Sequence, residues 1–435
     1  MSKKSLIFKY SLLVAIFVFL FSHLLFKEFN FIELPPLKGY NVSSKMPEIN
    51  IKECFDGNFQ QKEDDYINDA FGFRSLYVRL HNQIKFSVFK SPTANGVIIG
   101  KENYFYEENY IKAYTGVDFL GEDSINKIVN RINFISDTLT KLNKQLIIVF
   151  AAGKASFYPE FIPDNYLPVK GNTNYKALLN RIKNTRVNYI DFNQWFIQQK
   201  ASSKYPLYPK YGIHWSNYGT FLAADSIIKK IEFLRKIDMP NLIYNDIELK
   251  QPFDIDYDIA DGMNLLFRLK SFDMAYPKIK TGPSENKIKP SVLVISDSFY
   301  WGMYGFGIAN SFTDDHFWYY NKQVYPETFK SELFVEDLNI NDEIEKHDVI
   351  IVMATEATLP KIGWGFFENL EKVFKGVWVP KVEKVKDITE LEETRRSIRG
   401  DIKWMKQIEG KAKERKISVD SMLTLDAIWT LEHQN

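Results

Sequence analysis

The 435-residue chain carries a single cysteine, Cys54. That excludes an internal disulfide and any zinc site built from a cysteine cluster. A lone cysteine fits an exported protein without disulfides and a cytosolic one equally. Net charge is nearly absent as well: 56 Lys and Arg stand against 55 Asp and Glu, a formal balance of +1. The basic surplus of a nucleic-acid binder is missing, so no nucleic-acid partner is expected. There is no internal repeat and no low-complexity tract. The acidic stretch of Asp254, Asp256, Asp258 and Asp261 lacks the central glycine and terminal glutamate of an EF-hand, and reads as a polar loop. No cofactor and no metal is expected.

What the chain has is apolar residues at 45% and charged residues at 26%, the balance of a globular protein. Aromatic residues reach 15%, including 24 Tyr and 35 Phe. Such rings suit a surface that stacks on sugars, and they also fill cores.

One hydrophobic run stands out. Lys3, Lys4 and Lys9 precede the apolar stretch from Tyr10 to Phe26. It is long enough to span a bilayer if Lys9 snorkels. Its exit, His23-Leu24-Leu25-Phe26, lacks the small residues of a cleavage site, so residues 1–28 read as an uncleaved membrane anchor. The flanking lysines keep the N-terminus cytoplasmic. The remainder is expected outside the inner membrane, in the periplasm or at the cell exterior. Residues 29–68, with Pro35, Pro36 and Pro47, read as a linker.

Beyond it, helical spacing marks Phe71 to Phe89, Gly121 to Leu142, Tyr175 to Asn184, Tyr218 to Leu234 and Glu368 to Phe374. Strand-like runs cover Val97 to Ile99, Leu146 to Phe150, Val187 to Phe192, Val292 to Ile295, Val349 to Met353 and Val377 to Val379. Strands alternating with helices predict a mainly parallel sheet between helical layers, a three-layer α/β/α domain over 69–385. Residues 386–435 change character and predict a helical extension, Asp387 to Arg415 and Ser418 to Leu431, with glutamates and basic residues three and four apart.

The stretch Pro290 to Phe299, PSVLVISDSF, holds the most chemistry. A buried strand breaks into Ser296, Asp297 and Ser298, and ligands of open α/β sheets bind at that end of a strand. Ser298 is either a turn residue or a nucleophile. The second role requires a base, usually a histidine. The candidate is His214, on a loop just before a helix that Ser216 or Asn217 can cap. Trp301 to Asn310 and Trp318-Tyr319-Tyr320 offer a substrate wall or a surface aromatic cluster. Lys154, after the strand Leu146 to Phe150, either faces solvent or touches an anionic or carbonyl group.

Ser296-Asp297-Ser298-Phe299 resembles the G-D-S block of SGNH hydrolases, with Ser296 where glycine is usual. Tyr211-Gly212-Ile213-His214-Trp215 resembles the D-x-H-W block of the branch that includes AlgJ and AlgX, proteins of alginate O-acetylation related more distantly to DltD. In that branch, as here, the histidine block precedes the serine block. Phe71-Gly72-Phe73-Arg74, Gly96 to Lys101 and Lys154 to Glu160 look like the same family, and the resemblance runs from about Asp69 to Phe367.

The resemblance implies an SGNH-like fold and acyl transfer. Ser298 would attack an acetyl donor, His214 would take its proton, and the acyl-enzyme would pass acetyl to the hydroxyl of an exported polysaccharide. A multipass membrane acyltransferase of the MBOAT kind would supply the acetyl. The family's aspartate, two residues before the histidine, is Gly212 here, so the orienting acid has to come from elsewhere. Glu356, just past the strand Val349 to Met353, is the candidate. Two other readings stay open: an esterase on the same fold, and a glycan-binding or scaffold subunit without catalysis, which Gly212 favours.

Overall fold

The computed structural model describes residues 3–29, 35–39, 44–70, 72–167, 171–376 and 388–415, then 419, 422–423, 426–427 and 430. The strand expected at 377–379 lies outside the described residues, as does most of the helix expected over 418–431.

The strands, in chain order, are β1 (Val97–Ile99), β2 (Phe105–Glu107), β3 (Gln145–Ala151), β4 (Asn188–Asp191), β5 (Leu242–Lys250), β6 (Met274–Thr281), β7 (Ser291–Ser296), β8 (Asp314–Tyr319), β9 (Gln323–Tyr325) and β10 (Val349–Thr355). Six of them form the central sheet, in the order β4-β3-β10-β7-β8-β9. All neighbours are parallel except β9, which returns antiparallel along β8. The inner strands are apolar runs because both faces are covered. Ile147, Val149, Val292, Val294 and Ile351 face one helical layer, and Ile148, Phe150, Leu293, Ile350 and Val352 face the other. The α/β/α expectation is met.

The helices used below are α1 (Lys3–Phe29), α2 (Arg74–Phe89), α3 (Glu122–Lys141), α4 (Asn217–Arg235), α5 (Ile340–Lys346), α6 (Phe366–Phe374), α7 (Ile388–Gly400) and α8 (Ile402–Arg415). Ser216 caps α4, its hydroxyl accepting from the Gly219 N–H at 2.9 Å. The single helix expected over 387–415 is two, parted at Asp401. Their apolar stripe, Ile398 and Ile408, packs with Met422, Leu423 and Ala427 in a small core of its own.

Two hairpins lie outside the central sheet, β1-β2 and β5-β6. The second escaped the sequence reading because β5, LIYNDIELK, is exposed along most of its length and carries charges where a buried strand has none. The transmembrane helix expected over residues 1–28 is not supported: α1 forms, but among the described residues no helix is long and apolar enough to cross a membrane.

Parallel pairing aligns the carboxyl ends of three central strands. Ser296 lies opposite Met353, and Thr355 lies opposite Ala151. The segments leaving β3, β7 and β10 therefore emerge at one edge of the sheet, where an open α/β fold binds its ligands.

Candidate active site

The turn after β7 is fixed from below. Asp297 is buried, and its Oδ2 accepts from the Thr355 N–H at 2.9 Å and from the Thr358 hydroxyl at 2.7 Å. Its Oδ1 accepts from the Phe299 N–H at 3.1 Å. One carboxylate thus ties the turn to the end of β10, which leaves Ser298 at the rim. Phe299, fully buried, packs its ring 4.7 Å from that of His214 and 5.3 Å from that of Trp215. The turn and the histidine loop share this ring as common packing.

Ser298 and His214, 84 residues apart, meet here: Oγ lies 2.9 Å from His214 Nε2. On the other side of the ring, Nδ1 lies 2.6 Å from Asp258 Oδ2. A carboxylate only accepts, so Nδ1 carries a proton whenever Asp258 is ionised, and Nε2 of the neutral ring faces the serine hydroxyl. Serine, histidine and aspartate thus stand in the relation a nucleophile, its base and an orienting acid require. Burial pushes the imidazole pKa down. The hydrogen bond and charge of Asp258, with Asp297 and Glu107, outweigh burial, and the net direction is up from 6.5.

Glu356 does not take this place. It is buried beyond the end of β10, and its Oε1 accepts from the Ser156 hydroxyl at 2.9 Å. Its other oxygen lies against Gly153, where a β-carbon would meet it at 2.2 Å. The glutamate packs on the segment following β3, while both ring nitrogens of His214 have partners elsewhere. Asp191, the last residue of β4, caps the helix it precedes and accepts from the Tyr175 hydroxyl.

Gly212 explains the exchange of acids. A β-carbon there would come within 2.3 Å of the Ile255 carbonyl oxygen and 2.9 Å of the Asp256 carbonyl carbon. Only glycine lets the acidic loop pass this close. The same approach delivers Asp258, whose Oδ1 also accepts from the Ile213 N–H at 2.9 Å. An aspartate at 212 and an aspartate at 258 are thus sterically alternative.

A buried lysine closes the arrangement from behind. Lys154 Nζ donates to the Gly212 carbonyl at 2.6 Å and to the Lys210 carbonyl at 2.9 Å, strapping the strand of chain that leads into His214. Burial pushes this amine down to about 7, against the opposing pull of Asp258 and Glu107. Of the two readings of Lys154, contact with carbonyl groups is the one seen.

Around the serine opens a cleft of about 390 Å³, lined among others by Asn95, Glu107, Asn109, Tyr110, Tyr320 and Thr358. Tyr320 lines the cleft together with Ser298, and burial raises its pKa to about 12. Its hydroxyl is a candidate side-chain donor to an oxyanion at Ser298. Of the expected aromatic wall, Trp318 is instead core. Trp301 stands among Tyr304, Phe317, Tyr319, Tyr325 and Phe329.

Residues 97–241 match the family model described as ALGX, SGNH hydrolase-like domain, acetyltransferase AlgX. The resemblance to the AlgJ/AlgX family holds. No curated protein sequence matches the chain. Among solved structures, the chain is similar to the O-acetyltransferase domain of Pseudomonas putida AlgJ at 16% identity, over 64% of this chain and 99% of that one, with a TM-score of 0.42. It is similar to Bacillus cereus PatB1 bearing a sulfonyl adduct at 14% identity, over 60% and 97%, with a TM-score of 0.39. For Pseudomonas aeruginosa AlgX the values are 13%, 60%, 55% and 0.36. Against the AlgX-type pattern, the residue the motifs missed is Asp258. The missing acid at 212 was a signal that another must exist, and an acidic stretch was available, but the sequence alone does not say which of its four aspartates folds onto His214.

Proposed function

We propose that the chain is an extracytoplasmic O-acetyltransferase that carries acetyl on Ser298 and delivers it to a hydroxyl of an exported polysaccharide. The contact of Ser298 Oγ with His214 Nε2 at 2.9 Å, with Asp258 behind the ring, is the observation that carries this reading. Ser298 attacks the acetyl carbonyl while His214 takes the hydroxyl proton. Asp258 stabilises the imidazolium, and the Ser298 N–H and the Tyr320 hydroxyl are the candidate donors to the developing oxyanion. The imidazolium gives its proton to the leaving group. A sugar hydroxyl then surrenders its proton to His214 and attacks the acyl carbon, and the imidazolium returns that proton to Ser298 Oγ as the acyl–oxygen bond breaks. An MBOAT-type membrane acyltransferase would supply the acetyl. The side chains described from Leu6 to Phe19 are exposed and mostly apolar, which supports a role for α1 in holding the domain at the inner membrane.

The scaffold reading was motivated by the missing acid at 212, and Asp258 removes that motive. An esterase would use the same three residues, so acceptor dependence decides. With an activated acetyl ester as donor, acetyl release should accelerate and acetylated glycan accumulate when a polysaccharide acceptor is added. Hydrolysis at one rate with or without acceptor would select the esterase.

A further inference from the structure

Two histidines and a glutamate converge on the side of the sheet away from His214. His316 lies in β8, opposite Leu293 of β7, on the face that packs against α3 and α6. Glu343 lies in α5, and His347 follows as its C-cap. The two are four residues apart and so share one side of the turn. His347 is fully buried, and Glu343 is 3% exposed. One donor atom from each of His316, Glu343 and His347 falls within 4.8 Å of the other two.

The hydrogen bonds around the cluster orient it. His347 Nδ1 lies 2.6 Å from the Glu343 carbonyl. A carbonyl only accepts, so Nδ1 carries the proton, and the lone pair of the neutral ring is on Nε2. His316 Nε2 lies 3.1 Å from Glu327 Oε1, which leaves Nδ1 toward Glu343 Oε2 at 3.0 Å. Lys346 Nζ lies 2.7 Å from the other oxygen, Oε1, of Glu343. Each imidazole thus gives one N–H to a carbonyl or carboxylate and turns its other nitrogen toward the shared centre. This is the outer support that metal-binding histidines have.

We propose that His316 Nδ1, His347 Nε2 and Glu343 Oε2 bind a divalent transition-metal ion, zinc foremost. Two imidazoles and a carboxylate are a borderline donor set that suits zinc and its neighbours rather than calcium or magnesium. Zinc bonds of ~2.0–2.1 Å set tetrahedral donors roughly 3.3 Å apart, so the 3.0 Å contact opens slightly and the wider pairs close by side-chain rotation. The fourth position is left to water. The ion would clamp α5 to β8, the strand that ends beside Tyr320.

The test uses the full chain without an affinity tag, stripped with chelator, and zinc ion alone as the probe. One equivalent should bind in competition with a chromophoric chelator and raise the melting temperature. Cobalt in its place should give the visible bands of a four-coordinate site. His316→Gln and His347→Gln should each weaken binding at least a hundredfold, and Glu327→Gln by about 10–100-fold through loss of the outer carboxylate. His214→Gln should leave binding unchanged. Should either ligand variant fail to fold, the wild-type stoichiometry and Glu327→Gln decide. No stoichiometric binding by wild type, binding indifferent to Glu327→Gln, or binding lost in His214→Gln overturns the proposal.

Discussion

Asp258 and Glu356 are both acids near the sheet edge, and their contacts assign them different work. Asp258 touches Nδ1 of His214, whereas Glu356 touches Ser156. Asp258→Asn should therefore lower Ser298 acylation by ~10⁴-fold, the loss seen when a triad acid becomes an amide. Glu356→Gln should leave acylation within a few-fold and act on stability. The pH dependence separates the two further. The base must be neutral, so acylation rises with pH through the His214 pKa, which the folded protein holds above 6.5. Asp258→Asn removes the largest raising influence and leaves burial to dominate, so the residual activity should rise at lower pH. The paired imidazolium contributes stability below 6.5 that fades as pH climbs through the folded pKa. Measuring acylation rates against pH for the three proteins checks all of this, and an unshifted limb in Asp258→Asn would count against the assignment.

At the scale of elements, the site is three strand ends and one strapped loop. Lys154 holds the Lys210 and Gly212 carbonyls, and Lys154→Met should slow acylation by loosening the approach of His214 while the sheet stays intact. Its folded pKa, about 7, lies below the ordinary 10.5. The folded state is penalised for the charge fully below about 7, and the penalty disappears as pH rises toward 10.5. Denaturation from pH 7 to 10.5 should thus show wild type gaining stability relative to Lys154→Met, and parallel curves would refute it.

The elements were legible to different degrees. β3, β7 and β10 are uninterrupted apolar runs, and buried parallel strands announce themselves that way. The β7 turn and the His214 loop carried motifs, so both chemical partners could be named. The β5 hairpin and Asp258 could not. The hairpin is an exposed, charged ribbon, and Asp258 reaches His214 only because Gly212 lets two distant backbones touch. That contact is a property of tertiary packing, which no local pattern of four aspartates encodes.

For the whole molecule, the proposed function sets the domain outside the inner membrane, with the exposed, mostly apolar surface of α1 holding it there. The protein should fractionate with the inner membrane, and protease added to spheroplasts should digest the domain. Complete protection would reverse the proposed orientation. The central claim is that Ser298 becomes acylated through His214. Intact-protein mass spectrometry after brief exposure to an activated acetyl ester tests it most directly. The account predicts one acetyl per chain, localised to the peptide containing Ser298. The adduct should be absent in Ser298→Ala and form orders of magnitude more slowly in His214→Ala. A correctly folded wild-type protein that never acquires the adduct, or acquires it equally in Ser298→Ala, would contradict the account.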